Sequence, residues 1–355
     1  MKEPSPISID DAMAQTSNFD AIIDVRSPLE FALDHAPGAI NLPVLDNDER
    51  VIVGTTNAQV SAFDAKRQGA AMVARNIGNI IAGPLADKPA DWRPLVYCWR
   101  GGNRSASLAT VLARVGWQTH VLDGGYRAYR RWVIAQINKL APAQSFHVVA
   151  GRTGSGKSRI LQRLAARGAQ VLDLEALANH RGSVLGLMPD DVQPSQKRFE
   201  SLLANALGGF DPAQPVFVES ESRKIGKVQI PDALILAMRG ATCSVIELPT
   251  VLRARFLTQD YPHFLRQPAS LFTQLDRLRV LHGNERIDTW RDMAAQADWE
   301  ALVAALLTEH YDPAYDKSMG KNYVLLDQAR VLSANDADAD VQLVFDRLAD
   351  ELLTG

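Results

Sequence analysis

The feature that most constrains the fold of this 355-residue sequence is the loop Gly151-Arg152-Thr153-Gly154-Ser155-Gly156-Lys157-Ser158. It follows the apolar run 146–150 and precedes a helical pattern over 158–167. In this strand-loop-helix context, the spacing Gly-x4-Gly-Lys-Ser lets backbone N–H groups surround phosphate oxygens while the lysine neutralises their charge. The pattern therefore predicts a diphosphate or triphosphate site formed by Gly151, Thr153, Gly154, Ser155, Gly156, Lys157 and Ser158.

A second glycine-rich loop, Cys98-Trp99-Arg100-Gly101-Gly102-Asn103-Arg104-Ser105, follows the apolar run 95–97. Consecutive glycines let backbone N–H groups turn inward as an anion-binding nest, and the helix expected from Ser105 points its positive end at the same place. Because the thiolate is the reactive form of cysteine, this setting indicates that Cys98 is a catalytic nucleophile with a lowered pKa. The residues expected to bind an anion around it are Arg100, Gly101, Gly102, Asn103 and Arg104.

Strand patterns alternate with helix patterns in both halves of the sequence, which predicts two α/β domains built on parallel sheets. The segment 141–144 separates a first domain, residues 1–140, from a second domain, residues 145–355. Beyond residue 251 helical periodicity dominates, and residues 292–355 hold 4 Lys/Arg against 13 Asp/Glu. Strands are expected at 21–25, 39–42, 95–97 and 119–122 in the first domain, and at 146–150, 170–174, 215–219 and 243–248 in the second.

The composition, 46% hydrophobic and 22% charged, is that of a soluble globular protein. No apolar run approaches the roughly 20 residues of a membrane span, and the N-terminal residues lack a signal-peptide core. The two cysteines, Cys98 and Cys243, have no metal-site or disulfide spacing, which favours a cytoplasmic protein without a certain metal site. Residues 145–291 hold 19 Lys/Arg against 14 Asp/Glu, so a local RNA-binding patch is compatible with the net charge of −3.

Two further groups of residues are candidates for the phosphate site. Glu219 and Glu221 follow the strand pattern 215–219, where phosphate-loop enzymes often carry an acidic residue, and either could position a metal ion or act as a base. Surface carboxylates at a strand end are the alternative interpretation. The residues that could contact a diphosphate or RNA are Arg181, Arg223, Arg253 and Arg255.

Two segments resemble signatures of the rhodanese superfamily, Asp24-Val25-Arg26-Ser27-Pro28-Leu29-Glu30-Phe31 and His35-Ala36-Pro37-Gly38-Ala39-Ile40-Asn41. Members of that superfamily carry sulfur or selenium on the cysteine of a loop like that of Cys98. Here the loop Cys98-x5-Arg104 is one residue longer than the usual sulfur-transfer loop and matches the length found in related phosphatases. A wider loop fits a tetrahedral anion such as a phosphate ester or selenophosphate, so loop length leaves both chemistries open.

The order of domains, a rhodanese-like parallel-sheet domain followed by a P-loop NTPase-like α/β domain with a helical C-terminal region, resembles the tRNA 2-selenouridine synthase family. The resemblance covers essentially the whole chain and implies a cytoplasmic transferase that acts on the wobble uridine of tRNAs carrying 2-thiouridine, without a membrane; a monomer is expected. The motifs that carry it are 98–105, 151–158, 177–183, 218–223 and Tyr311-Asp312-Pro313.

The same resemblance implies two successive reactions on 2-thiouridine. A geranyl group from geranyl diphosphate first alkylates the sulfur, and the P-loop domain holds the diphosphate. Selenium supplied from selenophosphate then displaces geranylthiol to give 2-selenouridine, with Cys98 carrying the selenium. No tightly bound cofactor is implied, although Mg²⁺ is a possible companion of the diphosphate. The side chains expected to wall the ten-carbon tail are those of Leu185, Leu187, Met188 and Phe199.

Two rival interpretations belong to other functional classes. One is a phosphatase or sulfurtransferase fused to a nucleotide-binding, kinase-like domain; the other is a nucleotide-sensing regulatory module with an inactive rhodanese fold. The intact Cys98 argues against the regulatory module. A phosphatase needs a general acid to protonate its leaving oxygen, and the sequence identifies no aspartate for that role.

Overall fold

The computed structural model describes residues 2–181, 192–262, 264, 268–335 and 340–354, with residues 268 and 318–321 described by their backbone alone. Its contacts divide the chain into two compact units. The first comprises Met1–Gln136 and Lys197–Asn205, and the second comprises Ile137–Gln196 and Ala206–Gly355. The division falls between Gln136 and Ile137, and the short segment Lys197–Asn205 groups with the first unit rather than with its sequence neighbours.

The first unit is built on a five-stranded, all-parallel sheet with the strand order β1-β5-β4-β2-β3. The four strands predicted in this half are present, and β1 is an additional edge strand that the sequence pattern did not reveal because it contains a proline. The strands are β1 Ser5–Ile7, β2 Ala21–Asp24, β3 Ala39–Asn41, β4 Pro94–Tyr97 and β5 His120–Leu122. The helices are α1 Ile9–Ala14, α2 Pro28–Leu33, α3 Asn47–Gln59, α4 Ala62–Ala82, α5 Asn103–Val115 and α6 Gly125–Leu140.

Central strand β4 is buried at all four residues, which explains why it reads as a continuous apolar run rather than an alternating one. Val96 of β4 packs in one cluster with Leu108 and Leu112 of α5 and with Trp92 and Trp117. Because the carboxyl ends of parallel strands meet at one edge of a sheet, ligand sites form there. That edge is where the chain leaves β4 and enters the cysteine loop.

The second unit contains another five-stranded parallel sheet, with the order β12-β11-β6-β8-β7, so the predicted α/β architecture is confirmed in both halves. A short antiparallel hairpin, β9–β10, lies apart from it. The strands are β6 Ser145–Gly151, β7 Gln170–Leu172, β8 Pro215–Glu219, β9 Lys224–Ile225, β10 Val228–Gln229, β11 Thr242–Glu247 and β12 Arg330–Ser333. The helices up to residue 260 are α7 Lys157–Ala166, α8 Leu174–Ala178, α9 Gln196–Gly208, α10 Asp232–Arg239 and α11 Thr250–Asp260.

The C-terminal region of this unit is helical, as predicted, and has a hydrophobic cluster of its own around the fully buried Trp290. The helix predicted over 299–310 is α-helical only to Leu306 and continues as a π-helical turn, Leu307–Tyr311. No helix in the described part of the chain is long and apolar enough to cross a membrane. The helices are α12 Pro268–Asp276, α13 Arg279–Ala295, α14 Trp299–Leu306, α15 Asp312–Asn322 and α16 Val341–Leu353.

Candidate functional site

The cysteine loop joins β4 to α5, which begins at Asn103, two residues earlier than the sequence pattern predicted. The turn after β5 holds this loop, because the Tyr126 N–H donates to the Cys98 carbonyl oxygen at 2.8 Å. That close approach requires glycine at position 125, where a Cβ would lie only 2.3 Å from the same oxygen. The early start of α5 brings the positive end of the helix dipole against the loop that carries the sulfur.

The surroundings of the Cys98 sulfur favour its thiolate form. Ser105 Oγ lies 3.2 Å from Cys98 Sγ and 3.1 Å from the Gly102 carbonyl oxygen, so the hydroxyl can donate to the sulfur once the sulfur is charged. Burial alone raises the pKa of the thiol, but hydrogen bonds from the Ser105 hydroxyl and from the N–H groups of Ser105, Arg100 and Gly102 outweigh it and lower the pKa of Cys98. On β11, by contrast, burial raises the pKa of Cys243.

The two arginines expected to hold an anion at Cys98 are placed differently. Arg104 donates to Glu30 at 2.7 Å. Glu30 is also the N3 residue of the capping box in which Ser27 is the N-cap of α2. Although burial opposes it, the hydrogen bond from Arg104 lowers the pKa of Glu30. Arg100 is exposed. Because Arg104 is already paired, the backbone N–H groups and the α5 dipole supply most of the positive potential at the sulfur.

The phosphate-binding loop of the second unit joins β6 to α7, as predicted. Lys157 Nζ donates to the Gly151 carbonyl oxygen at 2.8 Å, which folds the lysine back across the loop. Gly156 has a φ of 77°, and a Cβ there would lie 2.1 Å from the ring of Phe345 on α16. Glycine is therefore required at this position both by the left-handed backbone and by the helix packed behind it.

A buried ion pair supports this loop from the helical region. Arg253, 2% exposed, donates to the Thr153 carbonyl oxygen at 3.1 Å and to Asp312 at 2.7 Å. The Tyr315 hydroxyl accepts a hydrogen bond from the Gly151 N–H at 2.7 Å. Arg253, predicted as a diphosphate or RNA contact, is thus engaged by protein groups and shapes the loop instead. Asp312 and Tyr315, which make these contacts with Arg253 and with the loop, both lie in the segment 311–316.

The loop opens on a cleft of about 500 Å³, called here the P-loop cleft. Arg181 and Arg159 reach into it from different elements, and both pair with Asp260. One carboxylate therefore aligns two guanidinium groups beside the phosphate-binding amides. Its lining residues are Thr153, Gly154, Gly156, Lys157, Ser158, Arg159, Gln162, Glu175, Arg181, Ser220, Glu221, Ser222, Phe256, Leu257, Asp260, Tyr261, His310, Tyr311, Ala314 and Tyr315.

Of the four arginines predicted as contacts, Arg181 is the one that lines the P-loop cleft. Arg223 is exposed and pairs with Asp232, and Arg255 lies on α11 but is not one of the lining residues. Arg159, which does line the cleft, escaped the sequence analysis because nothing in a helical pattern marks which of its basic residues face a loop. The available signal was its place in the sequence, two residues after the motif lysine Lys157.

The two glutamates at the end of β8 have different environments. Glu219 is fully buried and accepts a hydrogen bond from the Glu175 N–H at 2.8 Å, whereas Glu221 lines the cleft. Burial, with neighbouring carboxylates adding to it, raises the pKa of Glu219 well above its usual range and that of Glu221 to about 8. The Ser158 hydroxyl donates to Glu175. Among the residues described, no group of three or more His, Cys, Asp or Glu side chains could hold a metal ion.

An apolar pocket adjoins the P-loop cleft and is called here the tail pocket. The cleft and the tail pocket share the lining residues Thr153, Leu257, Tyr261 and Tyr311. The polar P-loop cleft therefore continues into the apolar tail pocket. The tail pocket is formed by α11, α12, α14 and the π-helical turn. Its remaining lining residues are Thr258, Phe264, Leu271, Trp299, Leu302, Val303, Leu306 and Leu307.

The residues of the tail pocket differ from those of the apolar wall expected from the sequence. Phe199 is fully buried on α9, within the segment that groups with the first unit, and does not line the P-loop cleft. Leu185, Leu187 and Met188 lie outside the described residues. The sequence analysis missed the observed wall because its residues come from four separate elements, each of which reads as an ordinary amphipathic helix.

A parallel sheet that ends in a glycine-rich cysteine loop, followed by a second parallel sheet that ends in a Gly-x4-Gly-Lys-Ser loop, defines a rhodanese-like domain joined to a P-loop domain. The family description "Rhodanese-like domain" matches residues 8–131, and "tRNA 2-selenouridine synthase AAA domain" matches residues 144–276. The chain belongs to the tRNA 2-selenouridine synthase family.

Relatives named tRNA 2-selenouridine synthase bear out this membership. The protein of Nitrosomonas europaea is 37% identical, with 74% of this chain and 68% of that protein covered. The protein of Nitrosomonas eutropha is 35% identical, with 74% and 68% covered. The protein of Marinobacter nauticus is 30% identical, with 86% and 90% covered.

Proposed function

We propose that this protein is a transferase that replaces the sulfur of 2-thiouridine at the tRNA wobble position by selenium. Membership of the family supports the overall reaction, since its relatives are named for 2-selenouridine synthesis on tRNA. The activated Cys98 supports a nucleophilic step. The fold and the family together favour this activity over a fused phosphatase.

In the first half-reaction, the sulfur of 2-thiouridine is alkylated by geranyl diphosphate bound in the P-loop cleft. The observation that carries this step is the tail pocket, which continues directly from the phosphate-binding loop. A nucleotide has no hydrocarbon tail to fill such a wall, whereas each buried CH₂ of a geranyl chain contributes about 0.8 kcal/mol. Lys157 and Arg181 neutralise the diphosphate that leaves.

In the second half-reaction, selenium from selenophosphate replaces the alkylated sulfur. Selenide adds to C2 of the uridine and geranylthiol leaves, which is easier than expelling the sulfur of an unalkylated thiouridine. The Cys98 loop is suited to receive selenophosphate, because it offers inward-facing amides and a thiolate within one anion site. The P–Se bond of selenophosphate breaks as water takes the phosphoryl group, so phosphate is the other product and selenium leaves as selenide.

The remaining requirements follow from these two steps. The substrates are tRNA, geranyl diphosphate and selenophosphate, and no tightly bound cofactor is needed. A Mg²⁺ ion that accompanies the diphosphate would find oxygen donors in Ser158 and Glu175, which already hydrogen-bond to each other. A monomer in the cytoplasm is the proposed working state.

Mass spectrometry of nucleosides tests the proposal. The protein is incubated with tRNA carrying 2-thiouridine, first with geranyl diphosphate alone and then with selenophosphate added. The expected products are S-geranyl-2-thiouridine in the first incubation and 2-selenouridine in the second. Hydrolysis of ATP or of a phosphate ester without either tRNA product would instead support the kinase-like or phosphatase interpretation.

A further inference from the structure

One residue that lines the P-loop cleft is a histidine paired with a second histidine outside the lining, and neither half-reaction uses them. His310 lines the cleft, and its Nδ1 lies 3.0 Å from Nε2 of His282 on α13. The His282 ring packs against the fully buried Trp290, with ring centroids 5.0 Å apart. The pair is therefore a fixed two-imidazole arrangement that begins in the cleft.

Irregular backbone positions both histidines. His310 lies in the π-helical turn Leu307–Tyr311, and such turns occur disproportionately at functional sites because the extra residue re-aims the side chains that follow. His282 immediately precedes Gly283, whose φ of 78° breaks α13. Leu281, on the other side of His282, is 71% exposed. His282 is itself partly exposed, so its ring can exchange a proton with solvent.

The hydrogen bond between the rings fixes the nitrogen that is available to a ligand. Within the described chain, the hydrogen bond of His310 runs through Nδ1, so Nε2 is the ring nitrogen that this contact does not occupy. Burial lowers the pKa of His310, and the charge that His282 can carry lowers it further, so the ring is a neutral acceptor near pH 7. The charged and titratable groups around it are Glu309 with its partner Arg286, Tyr311 and His282 on its own side, and Lys157, Arg159, Glu175, Arg181, Glu221, Asp260, Tyr261 and Tyr315 across the cleft.

We propose that His310 accepts the N3 proton of 2-thiouridine while the sulfur is alkylated, and that His282 passes this proton to solvent. The inference rests on the geranyl transfer proposed above and adds a catalytic residue to it. The C1–O bond of geranyl diphosphate breaks, its electron pair leaves with the diphosphate, and a sulfur–C1 bond forms. The C2–S bond becomes single as the N3–H electron pair forms the C2–N3 double bond, and the N3 proton moves to His310 Nε2.

Three carboxylates also line the cleft. Asp260 already pairs with Arg159 and Arg181, and the Ser158 hydroxyl donates to Glu175, whose pKa burial raises. For Glu221 the protonation state decides against a role as the base. With a pKa raised to about 8, Glu221 is mostly protonated at pH 7. A protonated carboxyl group cannot accept the N3 proton, so Glu221 is not the base. His310, with a pKa below its usual value, is free to accept. The relay also returns His310 to its neutral form without a further reactant, because its Nδ1 proton can pass to His282 Nε2.

The test measures single-turnover geranylation of thiolated tRNA by the full-length protein, with His310→Gln, His310→Ala and His282→Ala, and with His120→Gln as a histidine control from β5. Loss of a positioned base costs roughly 10²-fold or more, which we expect for both His310 variants. Added imidazole is expected to restore rate to His310→Ala but not to wild type. The wild-type rate should rise with pH as His310 loses its proton, with the midpoint of this rise below pH ~6.5. In His282→Ala the midpoint should move to higher pH, since removing His282 raises the pKa of His310.

Each outcome discriminates. A wild-type protein that makes no S-geranyl product contradicts the proposed function itself. If wild type geranylates and His310→Gln keeps both its rate and its pH limb, the relay is wrong while the proposed function stands. Calorimetric titration with inorganic diphosphate reports whether the variants keep the cleft. A His310 variant that loses diphosphate binding along with its rate, and that imidazole does not rescue, would make His310 a structural residue and overturn the inference.

Discussion

The Cys98 loop and the loop 151–158 have the same local construction, yet they suit different anions. Each joins the end of a central parallel strand to the start of a helix, and each needs glycine where another backbone or ring approaches closely. At Cys98, the loop cation Arg104 is already paired with Glu30, and the amides act on a single sulfur. At 151–158 the loop faces a cleft with Lys157 and two further arginines.

The comparison teaches that the wall around an anion loop, rather than the loop itself, selects the chemistry. A loop closed around one thiolate favours attack on a small anion. A loop that opens into a polar cleft with an apolar continuation favours a diphosphate with a hydrocarbon tail. The two sites should therefore be separable by mutation, and the following variants are ordered from the largest expected effect to the smallest.

Replacing the nucleophile tests the Cys98 loop most directly. Cys98→Ser should reduce selenation by roughly 10³-fold or more, because a serine hydroxyl stays protonated near neutral pH and loses the nucleophile outright. Geranylation should be unchanged, so S-geranyl-2-thiouridine accumulates in the tRNA. Cys243→Ser is the matched control and should make both products. A Cys98→Ser protein that makes neither product would show that the two sites are not separable.

Removing the loop lysine tests the other site. Lys157→Ala should slow geranylation by roughly 10²-fold, since it removes a cation from the departing diphosphate. Selenation of tRNA that has been geranylated beforehand should largely survive. The two half-reactions are measured separately on the same preparation. Normal geranylation by this variant, together with a requirement for ATP, would identify the loop as an ordinary nucleotide site.

Filling the tail pocket tests the apolar continuation. Val303→Trp should raise KM for geranyl diphosphate about 10-fold, as expected if the buried contacts of about two CH₂ groups are lost. The KM for the five-carbon dimethylallyl diphosphate should change less, because its shorter tail needs less of the pocket. Val280→Trp, at a position 93% exposed on α13, is the control. Equal losses for both substrates would place the tail elsewhere.

The smallest effect concerns the electrostatics of the cysteine. At pH 6.5, iodoacetamide should label Cys98 faster than Cys243, because hydrogen bonds lower the pKa of the first thiol and burial raises that of the second. Ser105→Ala removes a donor to the thiolate, so the pKa of Cys98 rises and its labelling slows about 5-fold. The difference should shrink above the pKa, where both proteins carry the thiolate. Peptide mapping measures both rates, and faster labelling of Cys243 would contradict the proposed loop.

The sequence predicted the sheets and loops because these are local. An apolar run of three to five residues next to a glycine-rich motif indicates strand, loop and helix from neighbouring residues alone, and the fold class was confirmed in both units. Strand β1 and the edge strand β12 were missed, since edge strands carry a weaker apolar pattern and β1 contains a proline. The helix start at Asn103 was displaced because a flexible Gly-Gly pair leaves the boundary to tertiary contacts.

What the sequence determined by itself is the chemistry that travels with a motif: a cysteine on an anion-binding loop, a lysine on a phosphate-binding loop, and the α/β order that presents them. What only the tertiary structure decided is which distant side chains complete each site. Arg253 reads as a ligand contact but is buried against Asp312, while Arg159, the tail pocket and His310 come together from separate helices. Packing brings together residues that lie far apart along the chain, and no local pattern encodes which faces will meet.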